Sequence, residues 1–355
     1  MPTLFDPVEL GAISLANRIV MAPMTRSRAG DGDVPNALMT EYYRQRASAG
    51  LIVTEGTQPS ATGKGYCRTP GLHDAAQAAG WRAVTDAVHD AGGRIAVQLM
   101  HCGRIASRLN KHPDAETVAP SAVQARGKIF ADGAGQVEMD APRALETHEI
   151  AGIVEEYAQS ARLALAAGFD GVELHCASGY LPMQFLSTGT NRRTDRYGGS
   201  VANRIRFTIE VLEALSGTIG ADRVGFRICP GNPFNDIHDD DPAETYAALL
   251  QAAAPLGVAY LHLIRLNVPQ VDGVAVAAAN WRGKLILNES IDFTEAQQIV
   301  GDGRADAISF GRAYIGNPDL VRRFREGAPL APFELKGLYA AGPEGYTDYP
   351  ALAES

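Results

Sequence analysis

The feature that most constrains this chain is an alternation of short apolar runs with longer amphipathic stretches, kept almost from end to end. The runs cover residues 19–24, 51–55, 94–99, 171–175, 224–229, 258–264, 284–288 and 307–310. Most are unbroken Val/Ile/Leu/Ala stretches, which suits parallel strands buried on both faces. Between them, apolar residues recur at three- and four-residue steps over 74–91, 148–167, 203–215, 242–254, 294–300 and 318–324, the period of helices with one buried face. Eight strands, each followed by helical or connecting sequence, predict an α/β chain folded as a (β/α)8 TIM barrel. A doubly wound sheet lacks its signature, because no GxGxxG follows the first run. The whole chain, 1–355, reads as one domain. Two segments break the rhythm. Residues 4–15, with Asp6-Pro7 and Gly11 as turn residues, predict a hairpin able to plug the N-terminal mouth. Residues 105–145 are too long for a connector and predict a lid-like insertion after the third strand, with a second hairpin near 128–139.

Composition narrows the function. A net charge of −9 argues against nucleic acid or an anionic membrane surface as the main partner. No run reaches the roughly eighteen apolar residues of a membrane helix, and the start has no basic leader or apolar h-region. Cys67, Cys102, Cys176 and Cys229 lie far apart, which reads as reduced cytoplasmic thiols rather than a disulfide frame. No spacing suggests a metal site.

In a barrel of this kind, chemistry collects at the C-terminal ends of the strands. There the chain places Met24-Thr25-Arg26, Glu55-Gly56-Thr57, Gln98 with His101 and Arg104, His175 to Tyr180, Arg227, Asn288 and Gly311-Arg312. Gln98 reads equally well as a core amide. Arg227, inside VGFRIC, needs an anion, either a core carboxylate or a ligand. Gly311-Arg312 stands where many barrels bind phosphate, although such pairs are common. His175 and Ser178 at a strand-to-helix turn could direct two donors at one oxygen. Tyr180, a weak acid with a reference pKa of roughly 10, suits protonation of a carbanion-like centre. Together these groups describe reduction of an activated C=C bond with hydride from a cofactor, since no side chain supplies one.

At this point the sequence resembles a known family. LFDPVELG, NRIVMAPMTRSRA, IVTEGT, IAVQLMHCGR, GFDGVELHCASGYLPMQFLS, NRRTDRYGGSVANR, ISFGRAYIGNPDLV and EGYTDYP, in this order, resemble the Old Yellow Enzyme family of FMN-dependent ene-reductases. The likeness is strongest to its N-ethylmaleimide, pentaerythritol tetranitrate and morphinone reductase branch. The resemblance implies FMN across the C-terminal mouth and NADPH or NADH as reductant. It implies flavin contacts from Pro23, Met24, Thr25, Gly56 and Gln98, and Arg227 as the cation beside N1. Asn288, Ser290, Gly311 and Arg312 fall at the phosphate end. Tyr180 matches the proton donor, and His175 with Ser178 the donors to the substrate oxygen. Tyr66, Met100 and Tyr346 match the substrate side. The implied partner is a small electrophilic alkene, an α,β-unsaturated carbonyl or nitro compound, and the implied assembly a monomer or small homo-oligomer.

Three departures from the family pattern stand out. Ser178 replaces an Asn or His, and losing one good donor at such sites costs roughly 3 kcal/mol. Met100 replaces a tryptophan and softens the pocket. Glu289-Ser290 replace glycines at the phosphate end, setting a carboxylate near a phosphate. These changes at the ligands leave open a specialised biosynthetic substrate, nitro or nitrate-ester reduction, or a redox-neutral isomerisation.

Overall fold

The computed structural model describes residues 1–353. Eight parallel strands close into a barrel in chain order. They are β1 (Ile19–Met21), β2 (Leu51–Thr57), β3 (Ile95–Leu99), β4 (Gly171–Cys176), β5 (Val224–Ile228), β6 (Tyr260–Ile264), β7 (Leu285–Asn288) and β8 (Ala307–Phe310). The expected (β/α)8 barrel is therefore the fold. Nearly every strand residue is buried, which is why these segments read as continuous rather than alternating apolar runs.

The outer helices include α1 (Ala37–Arg44), α2 (Ala75–Asp90), α3 (Ile150–Ala166), α4 (Arg206–Ile219), α5 (Pro242–Ala253), α6 (Gly273–Asn280), α7 (Phe293–Gly301) and α8 (Leu320–Glu326). Side-chain caps start several of them: Asp74 accepts from the Gln77 N–H, Asp241 from Glu244 and Asp292 from Glu295. The reading of the sequence did not identify α1 or α6. Both are eight residues long, and α6 is almost entirely Ala and Val, so it shows no contrast between an apolar and a polar face. The first run also ends earlier than expected. Strand pairing stops at Met21, and residues 22–25 leave the sheet to line the mouth.

The N-terminal hairpin pairs Val8–Leu10 with Ile13–Leu15 and packs against Val20, Val53, Ala96, Ile286 and Ala307 inside the barrel. It closes that end. The insertion is anchored at its base by Val118–Ala119 pairing with Arg143–Ala144. At its tip Lys128–Ala131 pairs with Gly135–Glu138, the expected second hairpin. Arg126 ties it to Asp236 at 2.6 Å, and Arg68 ties it through Asp132.

Candidate active site

Two cavities open at the C-terminal mouth. One of about 690 Å³ is lined by Pro23, Met24, Thr25, Arg227, Asn288, Ser290, Gly311 and Arg312, among others. A second of about 670 Å³ is lined by Tyr66, Tyr180, the insertion hairpin, Phe234 and Tyr339. Thr25 and Tyr339 belong to both walls, so the two spaces adjoin. Their sizes fall in the range of small-molecule and cofactor sites.

The larger cavity contains one buried cation that other protein atoms only partly satisfy. Arg227 is 6% exposed and donates from Nη2 to Asn288 Oδ1 at 2.6 Å, while its buried Nε and Nη1 have no partner. Burial lowers the guanidinium pKa, and the Glu173 charge opposes that effect. A buried cation with two unmet donors requires an acceptor, and the cavity is where one fits. A Cβ on Gly311 would meet Met24 Sδ at 3.5 Å, an ordinary contact, so packing within the protein does not itself demand glycine at this point of the wall. These residues fit a flat, acceptor-rich ring system.

The phosphate end is less free. Arg312 donates to Glu289 Oε1 at 2.6 Å, and Ser290 Oγ donates to the same oxygen at 2.9 Å. Glu289 and Ser290 both hold left-handed backbone, at φ 87 and 52. The turn thus keeps a conformation that favours glycine after the glycines have gone. Arg265 pins it, donating to the Glu289 and Ser290 carbonyls at 3.1 and 2.7 Å.

In the second cavity, Tyr180 starts the short helix Leu181–Leu186 after a turn in which Ser178 and Gly179 have φ 55 and 81. A Cβ on Gly179 would meet Asn235 Cβ at 2.7 Å, so this turn needs its glycine. Tyr180 donates to the Tyr66 hydroxyl at 3.1 Å, and its ring meets the His175 ring edge-on at 4.9 Å. Burial pushes the Tyr180 hydroxyl well above its ordinary pKa. Burial and the Arg227 charge lower the His175 imidazole to about 3. His175 is neutral at physiological pH, and its buried Nδ1 has no partner.

Several expected site residues stand elsewhere. Neither His175 nor Ser178 lines either cavity wall; the Ser178 N–H donates to Cys229 Sγ at 3.0 Å and its carbonyl accepts from Asn235 Nδ2 at 2.8 Å. Gly56 is occupied by Met100, since a Cβ there would meet Met100 Sδ at 2.4 Å. Met100 itself is buried beside Tyr180 and Ile129, beneath the second cavity rather than on its wall. Gln98 reaches into the barrel and donates to Glu173 Oε1 at 2.7 Å. Tyr346 is a correction: it is fully buried, stacked on Tyr42 at 4.1 Å beneath Arg26 and Arg28, and lines neither cavity. Its aromatic face anchors the C-terminal segment. Arg26 and Arg28 complete that anchor by donating to the carbonyls of Gly345 and Gly337 at 2.7 and 2.8 Å.

The segment so anchored supplies the wall residues that the sequence left unmarked. Leu335 and Tyr339 are 77% and 61% exposed, and Phe234 and Phe130 complete an apolar rim at 56% and 46%. No local pattern singled them out, because their shared surface exists only once three distant loops meet.

A barrel that gathers a half-satisfied buried cation, a tyrosine acid and two adjoining cavities at its strand ends has the build of a flavin-dependent oxidoreductase. The model of the NADH:flavin oxidoreductase / NADH oxidase family matches residues 3–331, and the chain belongs to this family, that of the Old Yellow Enzymes. It is 42% identical to a probable flavin mononucleotide-dependent alkene reductase of Leishmania infantum, over 98% of this chain and 97% of the relative. A chanoclavine-I aldehyde reductase of Penicillium roqueforti is 41% identical over 100% of this chain and 98% of its own. Among solved structures, morphinone reductase in complex with tetrahydroNAD superposes with a TM-score of 0.95 at 46% identity, covering 99% of this chain and 98% of that one. The old yellow enzyme homologue of Zymomonas mobilis gives 0.96 at 42% identity, covering 99% and 100%.

Proposed function

We propose that this chain reduces activated C=C bonds of α,β-unsaturated carbonyl or nitro compounds, using NADPH or NADH and a bound FMN. The observation that carries the reading is the convergence on one mouth of Arg227 with two unmet donors, neutral His175 and the Tyr180–Tyr66 pair. A bound FMN would supply the hydride-transfer chemistry between nicotinamide and alkene that no side chain provides.

The protein's part follows from its own groups. Pro23, Met24 and Thr25 would hold one edge of the isoalloxazine, and Arg227 would supply positive charge where reduction adds negative charge. His175 donates a neutral N–H to the substrate oxygen and polarises the alkene. Tyr180, held protonated by burial, gives its proton to the α-carbon. Tyr66, at 3.1 Å, can then donate to the tyrosinate left behind. Ser178 is tied through its backbone to Cys229 and Asn235, and the imidazole of His175, with an unpartnered Nδ1, is assigned most of the polarisation. The rim of Phe130, Phe234 and Tyr339 suits a bulky apolar acceptor.

We place this activity in one domain spanning 1–355. No helix among the described residues is long and apolar enough to cross a membrane, and the four cysteines are free and buried, which supports a reducing compartment such as the cytoplasm. The direct test is the visible spectrum of the purified protein under anaerobic NADPH. A flavin band that bleaches, and returns on adding a cyclic enone or N-ethylmaleimide, supports the reading. A protein that neither carries nor accepts FMN overturns it.

A further inference from the structure

Beneath the mouth lies a chain of buried polar side chains that the chemistry above leaves without a task. Glu173 on β4 and His262 on β6 are both 0% exposed. Glu173 Oε2 lies 2.8 Å from His262 Nδ1, and His262 Nε2 lies 2.7 Å from Ser309 Oγ. An Nδ1–H donated to the carboxylate leaves Nε2 to accept from the Ser309 hydroxyl, which fixes the tautomer. The other carboxylate oxygen, Oε1, accepts from Gln98 at 2.7 Å. Both of these bonds to the carboxylate come from neutral donors, one on each oxygen.

A fully buried carboxylate is costly unless another charge answers it. The answering charge is Arg227. In strand register Arg227 stands beside His262 on one side and His175 on the other. Its direct partner is the neutral Asn288 amide rather than a carboxylate. Burial raises the Glu173 carboxyl, while His262 and then the Arg227 charge on the neighbouring strand β5 hold it down; Glu173 in turn favours the charged guanidinium. In so dry an interior such an interaction is weakly screened.

We propose that Glu173, clamped by Gln98 and His262, is a positioning residue that holds part of Arg227's positive charge and thereby lowers the reduction potential of the bound flavin. This rests on the reading that Arg227 faces the flavin. Reduction places negative charge beside that guanidinium, so a carboxylate on the neighbouring strand opposes the gain.

The test is the two-electron midpoint potential of the FMN-loaded protein, measured by dye equilibration. Glu173→Gln keeps the shape while removing the charge; its oxygen accepts from one neighbour, and the Gln98 amide turns to present its own oxygen to the new NH2. It is expected to favour reduction about tenfold, which is about 30 mV for two electrons. Glu173→Asp keeps the charge and is expected to stay near the wild-type potential. Should Glu173→Gln fail to hold FMN, the double variant Glu173→Leu/His262→Phe removes the same charge with apolar side chains of similar size, and is expected to raise the potential likewise. Arg227→Gln separates the two levels of the argument by lowering the potential if Arg227 faces the flavin. A fall in Arg227→Gln with no rise in the charge-removing variants overturns the role of Glu173 alone. So does a rise in Glu173→Asp as large as in Glu173→Gln. No movement in any variant overturns the reading of Arg227 and this inference with it.

Discussion

At its N-terminal end the barrel is filled by Val8, Leu10, Ile13 and Leu15, side chains without a polar atom among them. At its C-terminal end the same eight strands finish at Arg227 and His175, whose buried nitrogens lack partners. The first end is closed by removing apolar surface from water, which is non-directional and leaves nothing to satisfy. The second is left with donors that only a bound molecule can satisfy. Stability and function are thus divided between the two ends of a single sheet, and substitutions at each should report on different quantities.

The largest effect is expected at the functional end. Tyr180→Phe should leave reduction by NADPH intact and slow the alkene half-reaction by about 10²- to 10⁴-fold, the range of a lost general acid. Stopped-flow measurement of both half-reactions checks this, and an unchanged alkene step would remove Tyr180 from the role. Next comes the plug. Leu10→Ala should destabilise the fold by about 2–5 kcal/mol, read from denaturant midpoints. The turnover of the remaining folded fraction should stay at the wild-type value; a matching loss of turnover would dissolve the division between the ends.

A smaller change is expected at β7. Glu289→Gly removes the carboxylate that engages Arg312 and relieves the backbone at φ 87. It should tighten FMN about three- to tenfold, on the ~1 kcal/mol scale of an exposed ion pair, and leave riboflavin affinity unmoved. Equal changes for both flavins would show that the turn, not the phosphate, was affected. The smallest expected effect is none at all. With the His175 imidazole lowered to about 3, the alkene half-reaction should show no histidine-like break between pH 5 and 8. The corresponding stability term has a definite sign. The unfolded chain takes up this proton below roughly pH 6.5 and the folded one only near 3, so this histidine removes stability as pH falls through that window. His175→Asn should lose that component in acid denaturation.

Much of the site was legible because strand ends are countable. Once eight apolar runs are identified, the polar residues that end them are the mouth, and Thr25, Arg227, Asn288, Gly311 and Arg312 all line it. Tyr346 and Gly56 show the limit of motif reading. EGYTDYP marks a tyrosine without saying which way it faces, and Tyr346 turns onto Tyr42. A glycine at a strand end suggests ligand approach, yet Gly56 makes room for Met100.

The sequence by itself determined the barrel, its N-terminal plug, its lid hairpin and the residue types at its mouth, because period and burial are written locally along the chain. Tertiary structure alone decided that Glu289 takes Arg312, that Phe130, Phe234 and Tyr339 share one rim, and that Glu173 stands on the strand beside Arg227, opposite Gly225. Those facts depend on side chains from strands and loops far apart in sequence, and closing the barrel is what brings them within a few ångströms of one another.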